Sequence, residues 1–477
     1  MSAVRLLCVS LTGFAVEWGW AVGESVMIPH LLARPLALAP SVAGLIYTVN
    51  PIFSFLITPL VGRRADGSRA LSPSARRLVA FSNRRRFVAC LAAFGLACIA
   101  ALGATPLIGA RSYEAAACFL FFGVVDLCHD LILVPGRSLL VAMWPEAGDD
   151  EDGDALYSLS QLFGRGLGLV AIAVVPARGL LGTSYFQTSW ALSAGVLLAT
   201  TAAALAAAAP RRRKDDDDDD DDDDGDVVAS SSARPAPTAA LALVLTIQFV
   251  GWVGLTTFTF WSTTWLGLGT KLRGASLPLV ALAAQTFVGV GVGPFLPRAN
   301  RCFGAAAVWI FGELLLLGAV AASRWLGPER PVATLVVVAL AGASFAPHTS
   351  NAQILCRRFS RDEAALSTAA ALVNNTMTAA QILVGGLAGL LVSCGEPEFG
   401  CHSVGAGLFF RVGVGGAAVD VALVVLDLCY LRSGAFAERR VPRGPSLQEP
   451  LLDEPPAAAV PPPLTPGPAL AILAPIV

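Results

Sequence analysis

The residues of this sequence best placed to do chemistry are ionisable side chains stranded in long apolar runs. Asp126, Asp130 and Arg137 fall inside one such run, Glu17 and Glu24 in another, and Arg165 in a third. A charge at mid-membrane costs about 2.5–3.5 kcal/mol on insertion scales, so each of these must be paired or must face a polar cavity. Asp126 and Arg137 are eleven positions apart, which at about 100° per residue puts them within about 20° of one helix face. Asp130 lies near the same stripe. Glu17 and Glu24, seven positions apart, share a face by the same arithmetic. A carboxylate on such a face can take up and release a proton as its surroundings alternate between wet and dry and as a cation comes and goes. Arginine keeps its charge but offers a planar fork of donors to hydroxyls or to a carboxylate. The set can therefore combine proton binding with recognition of a hydroxylated solute. A static ion pair that only fixes helix packing is its other use.

The elements that position these residues follow from composition. The chain has 477 residues, 55% of them hydrophobic and 14% charged, with a mean hydropathy of +0.66, which is too apolar for a soluble globular protein. The net charge of -2 is uninformative because the charges are gathered in blocks, and nothing points to nucleic acid. A bilayer core needs about 20 mostly apolar residues per helix, and the runs fall into two sets of six. The first covers roughly 6–30, 41–62, 87–108, 114–141, 155–178 and 187–209. The second covers roughly 237–265, 276–297, 303–324, 331–355, 366–393 and 404–430. The first run starts almost at Met1 and is too long for a signal-peptide core, so it reads as a retained helix.

Between the sets stand Arg211-Arg212-Arg213-Lys214 and ten successive aspartates, residues 215–224. Like charges at that density cannot form a core, and the segment reads as a solvated low-complexity linker rather than a calcium site. The expected organisation is a six-helix half over 1–209, a disordered cytoplasmic linker over 210–236, a second six-helix half over 237–431, and a disordered Pro-rich cytoplasmic tail over 432–477. Short Lys/Arg-rich loops stay cytoplasmic. Arg63, Arg64, Arg69, Arg76, Arg77, Arg84, Arg85 and Arg86 crowd one loop, with Arg298, Arg301, Arg357, Arg358 and Arg361 in later loops of the same phase. Both termini are therefore expected in the cytoplasm. The cysteines mostly sit in apolar runs and form no C-x-x-C pair, so neither metal nor cofactor is expected; Cys394 and Cys401, in one short loop, are the only pair placed to form a disulfide.

Six plus six helices joined by a long linker is the arrangement of the major facilitator superfamily, an all-α membrane fold of twelve helices in two six-helix halves. Gly62, Asp66 and the cluster Arg84, Arg85, Arg86 resemble its loop signature. The glycine would let helices approach, and the charges would clasp helix ends across the halves in one state. The segment from Gly293-Pro294 through Arg298 to Arg301 and Gly304 sits at the equivalent place in the second set. Further segments resemble the glycoside-pentoside-hexuronide cation symporters, in particular plant sucrose carriers and animal proton-associated sugar transporters. They are Glu17-Trp18-Gly19-Trp20 through Glu24-Ser25, Asn50-Pro51, Asp126 with Pro135-Gly136-Arg137, Ser158 through Gly164-Arg165-Gly166, Trp252 with Thr263-Thr264-Trp265, and Asn374 with Gln381.

That resemblance implies a sucrose (or related glycoside):proton symporter working by alternating access. Asp126, Glu17 and Glu24 would serve proton coupling. Arg137, Trp20, Arg165, Asn374, Gln381 and Thr264 would bind substrate, while Gly62, Asp66, Arg84, Arg85 and Arg86 would form a gating loop. The implied partners are a small-molecule sugar and a proton; the lipid bilayer is the expected setting, with a functional monomer in the plasma membrane expected rather than one in the vacuole or another endomembrane. Three positions depart from the family pattern: Ala142 and Thr264 replace acids, and Arg165 replaces an asparagine. A proton-independent facilitator of another sugar or small solute is therefore the alternative. A sensor or scaffold on a carrier fold is the alternative of another class. No nucleophile elbow, zinc-spaced histidines or phosphate loop suggests an enzyme.

Overall fold

The computed structural model describes residues 3–32, 35–38, 42, 45–67, 73–144, 150–175, 184–209, 241–253, 255–256, 277–323, 331–360 and 366–393. All regular structure among them is helical. The first six helices are α1 (Ala3–Leu32), α2 (Ile46–Ala65), α3 (Pro73–Ala104), α4 (Arg111–Ala142), α5 (Asp150–Val174) and α6 (Tyr185–Ala207). The later ones are α7 (Leu241–Val253), α8 (Leu277–Val292), α9 (Leu296–Phe303), α10 (Ala305–Ser323), α11 (Pro331–Ala341), α12 (Phe345–Ser360) and α13 (Leu366–Ser393). Six stretches among the described residues are long and apolar enough to cross a bilayer. The expected span 404–430, the linker, the tail, Thr264, and Cys394 with Cys401 lie outside the described residues.

Local sequence sets the helix limits. Gly109, at φ 73°, ends the short turn after α3 and lets the chain reverse into α4. Ser184 and Gln187 form a reciprocal capping box that starts α6. Helix α3 begins well before the predicted start of its apolar run, because the arginine-rich stretch continues the helix beyond the apolar part instead of forming a loop. Two expected spans are each broken in two. Pro294 converts Gly293–Phe295 to a 3-10 turn between α8 and α9. Gly342–Ser344 does the same between α11 and α12, where a side chain on Gly342 would collide with the backbone of Gln285.

A core of Val16, Val22, Met27, Ile46, Ile99, Leu139, Leu140, Tyr157 and Trp190 joins the first six helices. Helix α1 lies among α4, α5 and α6, while α2 packs on α13, and α5 on α8 and α12. Those last contacts join the two sets, and small residues allow them. A Cβ on Gly62 would stand 2.8 Å from the Ala371 Cβ and the Ser367 carbonyl oxygen, and one on Gly293 would stand 2.9 Å from Leu159. Gly164 and Gly168 likewise bring α5 onto the backbone of α1 at Phe14 and Trp18.

Candidate functional site

Where α1, α4 and α5 face α7, α12 and α13, they enclose a cavity of about 40 Å³. The first set contributes Glu17, Arg137 and Gln161 to its wall. The later helices contribute Gln248, Trp252, Gln353 and Asn374. One water needs about 10–15 Å³ measured in this way, so the cavity has room for about three. Admitting a sugar requires the walls to part.

Arg137 is the centre of the polar wall. Its guanidinium donates to Gln161 Oε1 at 2.5 Å, Ser158 Oγ at 3.3 Å and, across to α12, the Thr349 carbonyl at 3.0 Å. It also lies 3.7 Å from the Asp154 carboxylate and 4.9 Å above the Tyr157 ring. Every one of these partners except Thr349 is on α5, at a spacing that keeps Asp154, Ser158, Gln161 and Arg165 on one face. Arg165, one turn beyond Gln161, pairs with both Glu17 and Glu24 of α1. The shared face inferred for the two glutamates is thus realised, with one arginine serving both.

Asp126 and Arg137 do not meet. They share a face of α4, but eleven residues at about 1.5 Å each separate them by about 16 Å along the axis, farther than both side chains can reach. Asp126 instead lies against Trp20 and Asn50, within electrostatic range of Glu24. Asp130 lies against Ser54, and its Oδ1 has no hydrogen-bond partner among the described residues. Trp20 therefore accompanies Asp126 and does not line the cavity. Gln381, half-buried on α13, does not line it either. His129 packs edge-on against Gly19.

The end of the interface where α2 meets α3 is closed by charge. Asp66 accepts from Arg84 at 2.8 Å, from the Ser367 and Thr368 backbone amides at 2.9 and 2.7 Å, and from the Thr368 hydroxyl at 2.7 Å. Its carboxylate thereby caps the N-terminus of α13, where unpaired amides and the helix dipole favour an anion. Arg84 also donates to Ser367 Oγ at 3.0 Å. Arg85 and Arg86 take no part in this clasp, and Arg86 is exposed. A second clasp joins Asp154 of α5 to Arg357 of α12. An outer one joins Asp152 to Arg301 at 3.8 Å.

With this geometry in view, the sequence match is decisive: residues 9–393 match the Major Facilitator Superfamily. The chain belongs to the Major Facilitator Superfamily. Solved structures agree on the fold. A mutant form of the nucleoside transporter NupG superposes with a TM-score of 0.59 at 13% identity over 88% of this chain and 99% of its own. A D-xylose-proton symporter gives 0.62 at 12% identity over 87% and 96%. A bacterial homologue of the iron transporter ferroportin, in an outward-facing state, gives 0.60 at 13% identity over 88% and 98%. A curated mouse relative, described as a membrane-associated transporter protein, is 29% identical over 214 residues. That alignment covers 41% of this chain and 37% of the mouse protein, well under two thirds of either. This superfamily member is a multi-pass membrane protein with the fold of a transporter rather than that of a soluble enzyme.

Sequence reasoning passed over Asp154, Gln161, Gln248 and Gln353. Asp154 is hidden in an acidic stretch that reads as loop, and lone glutamines in apolar runs attract no notice. The signal that would have found two of them is the polar stripe at 154, 158, 161 and 165 along an otherwise apolar helix.

Proposed function

We propose that this superfamily member is an alternating-access symporter that couples a proton to a small, neutral, polyhydroxylated solute of the glycoside class, sucrose being the first to test. The observation that carries the reading is a set of unpartnered polar atoms around one cavity. Gln248 Oε1, Trp252 Nε1 and Asn374 Nδ2 are buried without a hydrogen-bond partner among the described residues, and all three side chains line the cavity. Leaving such an atom unsatisfied costs about 1–3 kcal/mol. One acceptor and two donors suit hydroxyl groups, each of which both donates and accepts. The Trp252 ring offers an apolar face to the C–H side of a sugar ring, and Arg137 and Gln161 supply further polar groups opposite.

Proton coupling has a separate support. Five carboxylates, Glu17, Glu24, Asp126, Asp130 and Asp154, are grouped with three guanidiniums, Arg137, Arg165 and Arg357. Fully ionised, the group carries an excess of two negative charges where ions are expensive, and bound protons neutralise that excess. Glu17 stands in the cavity wall, and Glu24 with Asp126 extends the acidic chain away from it. The second reading is a proton-independent facilitator. On its side is Arg165, which already pairs with both glutamates.

Sucrose and maltose uptake into proteoliposomes, with and without an inward proton gradient, separates the two readings. Gradient-driven uptake that Asp126→Asn abolishes supports symport. Uptake indifferent to the gradient supports the facilitator, and no uptake of any glycoside overturns the solute class.

A further inference from the structure

The later helices hold an ionisable pair that the proposed transport chemistry leaves unused. Glu313 of α10 and His348 of α12 meet through the carboxylate Oε1 and the imidazole Nδ1, with side chains 1% and 0% exposed. Trp309 Nε1 donates to the same carboxylate oxygen at 2.9 Å and lies 3.3 Å from His348 Nδ1. Helix α7 seals the pair. A Cβ on Gly251 would strike the imidazole and stand 3.0 Å from Glu313 Oε1, so only glycine fits there. The Trp252 ring stands edge-on to the imidazole, centroids 5.2 Å apart at 70°. Trp252 is also cavity wall, and the residue after His348 is Thr349, whose carbonyl accepts from Arg137.

From these contacts we infer that Glu313 and His348 form a second proton-binding site of the protein, lying behind Trp252, with an occupancy tied to the conformation of the cavity. The pair gains or loses one proton as a unit. Loaded, carboxylate and imidazole together carry no net charge. Unloaded, the carboxylate keeps its negative charge against a neutral imidazole, so the two states differ by one buried charge, whose cost depends on whether water reaches the pair. The proton enters and leaves through His348 Nε2, which is buried and has no hydrogen-bond partner among the described residues.

Among the described residues few other charges bear on the pair; α9, which packs on α10, adds the exposed Arg298 and Arg301, and α5, which packs on α12, carries Asp154 and Arg165, both paired. Helices α7, α8 and α11 contain no Asp, Glu, His, Lys or Arg, and Glu313 is the one ionisable group of α10. Helix α12 adds only Arg357 and Arg358, more than two turns from His348, and Arg357 is paired with Asp154. Across the cavity, the charged residues of its wall are Arg137 and Glu17. The tie to transport rests on the carrier reading above, but the proton site itself does not.

The test is the intrinsic tryptophan fluorescence of the full chain in lipid nanodiscs, titrated with pH, because a protonated imidazole beside Trp252 and Trp309 quenches them. The wild type is expected to show a one-proton step. Asp126→Asn keeps the step, and Trp252→Phe and Trp309→Phe each diminish it. The double variant Glu313→Gln with His348→Gln loses it, and two amides can replace the native contact much as Asn300 and Asn351 bond each other. Asp66→Asn, which loosens the closed end, shifts the midpoint. A wild type without a step, or a step that survives the double variant or both tryptophan changes, overturns the site. A midpoint unmoved by Asp66→Asn overturns its tie to conformation. Failure of every glycoside in uptake assays would leave the step intact, so the two failures are distinguishable.

Discussion

Asp66→Asn removes the charge from the clasp that holds α2 against α13 while keeping the side-chain shape. The amide retains an oxygen for Arg84 and the Ser367 amide, but it turns an NH2 towards the Thr368 backbone amide, 2.7 Å from the present Oδ2. A hydrogen bond to a charged group contributes about 1.5–3 kcal/mol, and an anion at a partly buried helix N-terminus contributes up to about 2 kcal/mol. Part of that interaction survives and the pieces are not additive. A net loss of about 3 kcal/mol from the closed state relative to the open one is therefore expected. At about 1.4 kcal/mol per tenfold, the open population rises by about 100-fold until it saturates. Val134 is the reporter, since it is 1% exposed and packs on Ala370 and Ala371 at the α4–α13 seam. With Val134→Cys as the single thiol, the N-ethylmaleimide alkylation rate should rise by about that factor. A change below about threefold would refute the idea that Asp66 holds this end shut.

Gly62→Ala places a methyl 2.8 Å from Ala371 and the Ser367 carbonyl oxygen, and such overpacking costs about 1–3 kcal/mol. The thermal midpoint should fall, and the same alkylation assay should accelerate. Arg357→Gln leaves the buried Asp154 carboxylate to Arg137, 3.7 Å away, a loss of about 3 kcal/mol by analogy with other broken buried pairs. Adding Asp154→Asn should recover most of that stability, and a double variant no more stable than the single one counts against the pair. Asn300→Ala removes a reciprocal amide pair, 2.9 and 3.0 Å, with Asn351, and should lower stability by about 1–3 kcal/mol in a denaturation assay.

Much of the fold was legible because apolar run length and bilayer thickness are tied by simple geometry, so the described helices overlap the runs that hydropathy places, with α3 starting early. What periodicity missed was breakage. Gly342 and Pro294 split two spans because of a backbone contact with Gln285 and a missing amide, and neither effect alters hydropathy. In the site, angle was legible but distance was not. Arithmetic on the helix wheel put Glu17 and Glu24 on one face, which Arg165 serves, yet the same arithmetic put Arg137 beside Asp126 only in projection. Partners supplied by other helices, such as Asp154 with Arg357 and Glu313 with His348, are fixed by packing between distant segments. A single sequence carries no pattern for them.

Counterflow tests the central claim most directly, because it needs no proton gradient and reports only whether a carrier alternates with the solute bound. Proteoliposomes are loaded with unlabelled sucrose or maltose and diluted into a trace of the labelled sugar. A transient accumulation of label above equilibrium, reduced by Trp252→Ala or Arg137→Gln, is the predicted result. Label that only equilibrates, for every glycoside tried and at the same rate as in protein-free liposomes, would contradict it.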